Sequence, residues 1–479
     1  MDPILCTGLY LDTFPRRELV PDMTDSNYLP KLKVEKKISW WYNPYLILFV
    51  ISLILRLFYF GEVLDKFGAQ KLTEISEDIT HYYASAQEIA KSGNYCTRGI
   101  HIFGPGYPTC MAAMGAWVNF DPVIMSILNI LLNSLSTILL TYFAYQLTSN
   151  MIVSIFAGIQ HALSIVSIAL SAILLSETLF FFLLLLALIL LLKGLTNEKF
   201  IYFLIASILF GALALIRSVG QFLPVLVLFI AMIYNWKLSK TNFRKFLKSL
   251  VGPLAIALVT GLVVSMWISH NARVHKFADL TISAPFGVSK VVRLIRAEIN
   301  NTTYEEETER FFKDLKNQDA YRTGGYDRAM SVYSKELLYK LIAEHPFSGI
   351  KVFMKNVWKN ITAEWGGHYL LITGYESWKK NYAVNIASRT TILRYRIVLF
   401  VLLGSGVLFF QRNRAILMIL LGIAVYFVFF SGFTLDQGPR LLYPGQAGWA
   451  VLLAYGLTWS FAEIKKQVVR CFIFVKNLR

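Results

Sequence analysis

Residues 171–192, SAILLSETLFFFLLLLALILLL, carry one charged side chain, Glu177, in a run long enough to cross a hydrocarbon core as a helix. Working outward, comparable runs occupy 44–61, 123–147, 150–169, 200–217, 219–235, 247–268, 393–411, 415–432 and 444–462. They predict an all-α integral membrane protein, a bundle of about 10–11 transmembrane helices. The stretch 105–118 is apolar but too short to cross unaided, and is expected as a half-inserted or interfacial helix. Composition agrees: of 479 residues, 56% are hydrophobic, 15% aromatic and 16% charged, with mean hydropathy +0.51. Soluble domains carry roughly a quarter charged residues. A cytosolic enzyme, a disulfide-stapled secreted module and a disordered scaffold are excluded.

A net charge of +17 from 47 Lys and Arg suggests nucleic acid until the positions are read. The cations gather in short segments beside apolar runs: Lys31 to Lys37, Lys193 and Lys199, Lys237 to Lys248, Arg412 and Arg414, and Lys465 to Arg479. The positive-inside rule places all five in the cytoplasm, so no nucleic-acid partner is expected. The order is then a cytoplasmic tail 1–43, a transmembrane module 44–269 with a first external loop 62–104, a long extracytoplasmic loop 270–392, closing helices 393–462 and a basic tail 463–479. The N-terminus lacks a basic region followed by an apolar one, so the first span is expected to serve as the targeting signal.

Both external loops are unusual. The first carries Glu62, Asp65, Glu74, Glu77, Asp78 and Glu88. Helical spacing of Ile79, Tyr82, Tyr83, Ala86 and Ile89 within 76–95 puts Glu77 and Asp78 at a helix start, where free N–H groups and the dipole orient a carboxylate. They serve there either as a plain cap or as a reactive pair. The second holds a helix-like stretch 327–341 and an amphipathic one at 345–365, lying on the membrane surface or packed on the protein itself. The turn FGPGYP at 103–108 lines a cavity mouth or is a surface turn. Arg56, Glu177 and Arg217 fall within or at the ends of spans and should face the bundle interior. Arg217 suits either a phosphate or Glu177. Arg440 breaks the charge rule of short external connections, as an anion ligand or as the partner of Asp436.

Other chemistries lack support. Four cysteines form no scaffold, although Cys96 and Cys110 are close enough in sequence to admit a disulfide. There is no CxxC, HExxH or Walker A loop, and the seven histidines lack metal-ligand spacing. No cofactor is indicated; a divalent metal stays open, without ligand spacing to support it. Asn300, Asn301 and Asn360 are formal glycosylation acceptors.

In order, the chain has Glu77-Asp78 before Tyr82, Tyr83 and Ala86, a Pro105-Gly106-Tyr107-Pro108 turn, Ser176-Glu177, Ala214-Leu215-x-Arg217, Trp267-x-x-x-Asn271, Gly287, His345-Pro346 and Arg440-x-x-Tyr443-Pro444. This order, over 40–462, resembles the clan C (GT-C) polytopic glycosyltransferases, specifically the dolichyl-phosphate-mannose protein mannosyltransferase and aminoarabinose transferase group of the family 39 type. The resemblance implies a hexosyl- or pentosyltransferase that uses a polyprenyl-phosphate sugar donor, with an acceptor glycan, lipid or protein and membrane lipid as the other partners. It implies an active site facing the periplasm from a bacterial inner membrane, or the lumen from an ER membrane. Asp78 then corresponds to the general base, with Glu77 as rival because the usual Asp-Glu order is reversed. Arg440, Arg217 and Tyr443 correspond to donor-phosphate ligands, and Tyr82, Tyr107, Glu177 and Asn271 to cavity-lining residues. Gly104 and Pro105 stand where the aminoarabinose transferases carry a Lys. The competing class is a transporter, flippase or polymerase of lipid-linked saccharides.

Overall fold

The first span shows how the bundle is assembled. Helix α1 (Pro44–Phe67) is started by Asn43, whose side chain accepts from Tyr45 N, and by Pro44 in the first turn. It buries Leu48, Ser52, Arg56, Phe60 and Val63, spaced by close to one helical turn, and exposes Ile47, Val50, Ile54 and Phe58 on the face left for lipid. The computed structural model describes residues 43–93, 95, 103–274, 276–281, 283–362, 384–411, 413–433 and 439–477. Expectations that fall on Cys6, Cys96, His101, His275, His368, Arg412 and Asp436 lie outside them.

After α1 come α2 (Glu77–Ser92), α3 (Gly106–Trp117), α4 (Pro122–Thr148), α5 (Met151–Ala162), α6 (Ile165–Ser171), α7 (Ser176–Asn197), α8 (Phe200–Ile216), α9 (Leu223–Tyr234), α10 (Trp236–Thr241) and α11 (Phe243–Val274). The long loop contributes α12 (Ser283–Asn300), α13 (Tyr304–Lys316), α14 (Asp319–Glu344) and α15 (Pro346–Thr362). Then α16 (Val384–Phe410), α17 (Arg414–Ser431) and α18 (Gln446–Asn477) close the chain. Every regular element among the described residues is helical, and each of the ten apolar runs maps onto helix. This is an all-α, multi-pass integral membrane protein.

Length and apolarity divide those runs. Among the described residues, α1, α4, α7, α11 and α17 pass as spans alone, and α5 with α6 makes a sixth if the bent pair crosses as one. That pair breaks by 55°, so the run 150–169 is not one straight helix. The shorter apolar helices are Phe200–Ile216, Ser218–Tyr234 and Ile397–Phe410. Several helices also outrun the apolar stretches that mark them: α1 reaches Phe67, α11 reaches Val274 and α18 reaches Asn477. Hydropathy marks the hydrocarbon layer, whereas the backbone ladder continues into water.

Helix α7 is central, with Phe180, Phe181, Leu184, Leu185, Leu188 and Leu191 all buried. A helix apolar on all sides suits that place. The loop helices α12 to α14 have their own core of Val292, Ile295, Phe311, Leu315 and Met330. They are tied to the bundle at α11, where Trp267 Nε1 donates to Leu280 O at 3.1 Å and Asn271 Nδ2 to Asp279 O at 2.8 Å. Helix α15 answers to both readings of its sequence. One face packs on the protein through Val352, Val357, Asn356 and Asn360, the two amides donating to Gly432 O and Ser431 O. The opposite face leaves Phe347, Ile350, Met354 and Trp358 exposed. Asn360 is therefore spoken for and buried, unlike an accessible glycosylation acceptor. Cys110 is a free thiol in α3; its expected partner Cys96 lies outside the described residues.

The orientation has a direct test. In a cysteine-free background, Lys240→Cys and Ala320→Cys are expected to react with an impermeant thiol reagent from opposite sides of the membrane, because basic short connections stay in the cytoplasm. Reaction of both from one side would remove the inside-outside assignment.

Candidate functional site

The ends of α7, α8 and the turn before α18 meet the start of α2 and bring four charged side chains together. Ser76 takes the capping role at α2, accepting from Ile79 N, which leaves the two acids that follow it for other work. They point differently. Glu77 is 90% exposed and lies 3.8 Å from His81 one turn on. Asp78, 33% exposed, turns inward, its Oδ2 2.6 Å from Arg440 Nη1.

Arg440 is buried, and its Nε also meets Glu177 Oε1. Glu177, fully buried at the start of α7, receives Arg217 Nη1 on the same oxygen at 2.7 Å. A carboxylate in the first turn of a helix is favoured by the dipole, and buried charges persist only when paired. Two guanidiniums and two carboxylates thus neutralise one another, with Asp78 the most exposed of the four. Arg217 Nη1 also donates to Ser176 Oγ at 3.2 Å, as does the Tyr82 hydroxyl at 3.4 Å. Burial pushes the Tyr82 phenol above its ordinary value, against the opposing pull of Arg440 and Arg217, so it remains a donor.

The Pro-Gly turn sets the floor of this arrangement. A Cβ on Gly104 would overlap Leu215 O, and one on Gly106 would lie 2.8 Å from Ile216 N, so only glycine lets the turn rest on the last turn of α8, just before Arg217. Helix α3 then packs Tyr107 edge-on against Tyr82, ring centroids 4.8 Å apart, and Phe103 lies 4.3 Å from the same ring.

Of the residues singled out in the sequence, the structure therefore assembles Asp78, Glu177, Arg217, Arg440, Tyr82 and Tyr107. Three stand apart. Glu77 faces solvent, and Asn271 holds the loop backbone at Asp279 and Leu280. Tyr443 turns away from Arg440, its hydroxyl 3.1 Å from Asn133 Nδ2 inside the bundle. Both open readings of Arg217 and Arg440 gain a fact: each has an acidic partner, Glu177 for both and Asp78 for Arg440.

No protein-family model matches the chain, and neither does any curated protein. Similarity is found instead to solved structures. The crystal structure of the Archaeoglobus fulgidus oligosaccharyltransferase, in complex with Zn and sulfate, aligns with 90% of this chain at 12% identity and a TM-score of 0.48. The alignment covers 51% of that protein, so the chain spans about half its length.

Among the described residues no group of three or more His, Cys, Asp or Glu is assembled. At the cluster, the Arg440 guanidinium sits between Asp78 and Glu177, and Arg217 adds a second cation on Glu177. What they can do is exchange partners. An incoming anion competes with Glu177 and Asp78 for two forked cations, and a released carboxylate then accepts a proton.

Proposed function

We propose that the protein is a membrane glycosyltransferase that moves a sugar from a polyprenyl-phosphate donor to a hydroxyl acceptor, whether lipid, glycan or protein, with Asp78 as general base. The observation that carries this reading is the pairing of the partly exposed Asp78 with buried Arg440, itself joined through Glu177 to Arg217. The motif order quoted from the sequence supports it.

In the proposed step the donor phosphate enters among Arg440 and Arg217 and takes over hydrogen bonds now made to carboxylates. Asp78 accepts the proton of the acceptor hydroxyl, whose oxygen forms the new bond to the anomeric carbon. The bond from that carbon to the phosphate oxygen breaks, and the two guanidiniums meet the charge left on the polyprenyl phosphate. Tyr82 and Ser176 orient Arg217 for that task. A lipid-linked donor explains why such an enzyme needs no nucleotide-binding loop: its head group already lies at the membrane face where the site opens.

A transporter of lipid-linked saccharide is the second reading, and the 55° break between α5 and α6 is the feature in its favour, since broken helices line substrate paths in transporters. The carbonyls at that break are nevertheless occupied: His161 O and Ala162 O accept from Arg56. The deciding experiment is sugar transfer by the purified chain in detergent micelles, from a polyprenyl-phosphate sugar to cell-envelope acceptors. An enzyme transfers without a sealed membrane. Binding without transfer, together with movement of the donor across reconstituted vesicles, would favour the transporter.

A further inference from the structure

Beneath the charge cluster lies a buried polar network that the proposed chemistry leaves unused. Arg56 is fully buried in α1, and among the described residues no carboxylate meets it. Its Nε donates to Asn133 Oδ1 at 2.8 Å, Nη1 to Ser52 O and Ala162 O at 3.0 and 3.2 Å, and Nη2 to His161 O and Ser167 Oγ at 3.3 and 2.8 Å. All five N–H groups of a guanidinium are thus accounted for by neutral acceptors. Two of those are carbonyls at the end of α5, where it breaks from α6; His161 O also accepts from Ser164 N, so the cation reinforces the backbone at the break. An intramembrane charge is costly and usually marks function. Here the bonds continue from it towards the site.

They reach it at two points. Asn133 Nδ2 donates to the Tyr443 hydroxyl at 3.1 Å and to Thr178 Oγ1 at 3.3 Å. The same hydroxyl lies 3.2 Å from His161 Nε2 and 3.4 Å from Ser167 Oγ. Tyr443 follows Arg440 by three residues in one turn, and Thr178 directly follows Glu177. One side chain, Asn133, therefore grips both pieces of backbone that carry opposing members of the cluster.

We infer that the Arg56–Asn133–Tyr443 network is a positioning device: from inside the bundle it holds the turn bearing Arg440 against the helix end bearing Glu177, and so sets the guanidinium that faces Asp78. Arg56 orders the Asn133 amide by taking its oxygen, which leaves the nitrogen directed at Tyr443 and Thr178. These residues act through Arg440 and touch no substrate themselves. The expected effect on donor binding rests on the phosphate reading of the cluster, whereas the mechanical coupling does not.

Tyr443→Phe tests it, since the ring keeps its packing on Phe181, centroids 4.8 Å apart, and only the hydroxyl is lost. Melting temperatures of the wild type, Tyr443→Phe, Asp78→Asn and the double variant, all in the same micelles, form one arm. The double variant is expected to fall by clearly less than the sum of the single losses, because both changes weaken the same Arg440 contact. The second arm is binding of a short-chain polyprenyl phosphate. Tyr443→Phe is expected to weaken it about tenfold, the scale of one net hydrogen bond, and to add nothing to the loss in Arg440→Lys. Additive melting losses with wild-type affinity in Tyr443→Phe overturn the inference and leave the network as core packing alone. Coupled melting losses in a wild type that does not bind the probe leave the positioning device standing and remove the phosphate reading.

Discussion

Asp78→Asn is expected to lower sugar transfer by about 10²–10⁴-fold, the range that removal of a general base produces, while folding and membrane insertion persist. The amide keeps the size of the side chain and an oxygen for Arg440 Nη1, and Arg440 keeps its second partner, Glu177. What is lost is the capacity to take the acceptor's proton. Glu77→Gln is the matched control: that carboxylate is solvent-facing, 3.8 Å from His81, so near wild-type rates are expected. The measurement is transfer rate for both variants at saturating donor, alongside thermal melting. Full activity in Asp78→Asn with loss in Glu77→Gln would move the base by one residue and reverse the assignment.

The second large effect belongs to Arg440. Arg440→Ala takes a partner from Asp78 and from the fully buried Glu177 together. Glu177 keeps Arg217, and Asp78 is partly exposed, but the buried cluster is left with one cation for two carboxylates, so a lower melting temperature is expected. A phosphate ligand predicts a further and separable loss. The concentration of donor needed for half-maximal rate should rise in the surviving enzyme by the equivalent of roughly 2–5 kcal/mol. Arg440→Lys should lose part of this, since an ammonium supplies charge without the planar fork. Glu177→Gln supplies the contrast: it relaxes the hold on both arginines while retaining their charge, and is expected to spare donor affinity more than Arg440→Ala does. If Arg440→Ala melts earlier but its donor dependence is unchanged, the residue is only an ion-pair partner. Arg217 then becomes the phosphate ligand to examine.

The site residues illustrate how far one-dimensional reading reaches. Arg56, Glu177 and Arg217 were visible as charges in an apolar setting, where burial towards the bundle is the only inexpensive solution. The pairing of Arg217 with Glu177 was one of two open readings, whereas the partners of Arg56 and Arg440 were not visible. Arg440 meets Asp78 and Glu177, which lie hundreds of residues away in sequence. Nor did spacing separate Glu77 from Asp78, since both start α2, and only the placement of the Arg440 turn draws one of them inward. The polar network beneath was missed although it left a trace. Asn129, Asn133, Thr137 and Thr141 recur every fourth residue along α4 and are all buried, a polar stripe inside an apolar span that marks an internal face.

The sequence by itself determined the solvent, the helices and the division between basic short connections and long, carboxylate-bearing loops. Those properties are local or additive: hydrophobic transfer is summed residue by residue, and a helix in lipid satisfies its own backbone within a few residues. The tertiary structure alone decided that Ser76 caps α2 while Asp78 turns to Arg440, that Tyr443 faces inward, and that α15 packs one face while exposing another. It also decided that α5 breaks from α6 with Arg56 bonded to carbonyls at the end of α5. Each of those outcomes depends on which helices are neighbours. Ion pairs and hydrogen bonds act over a few ångströms in space, and a sequence fixes such distances only after packing has brought remote segments together.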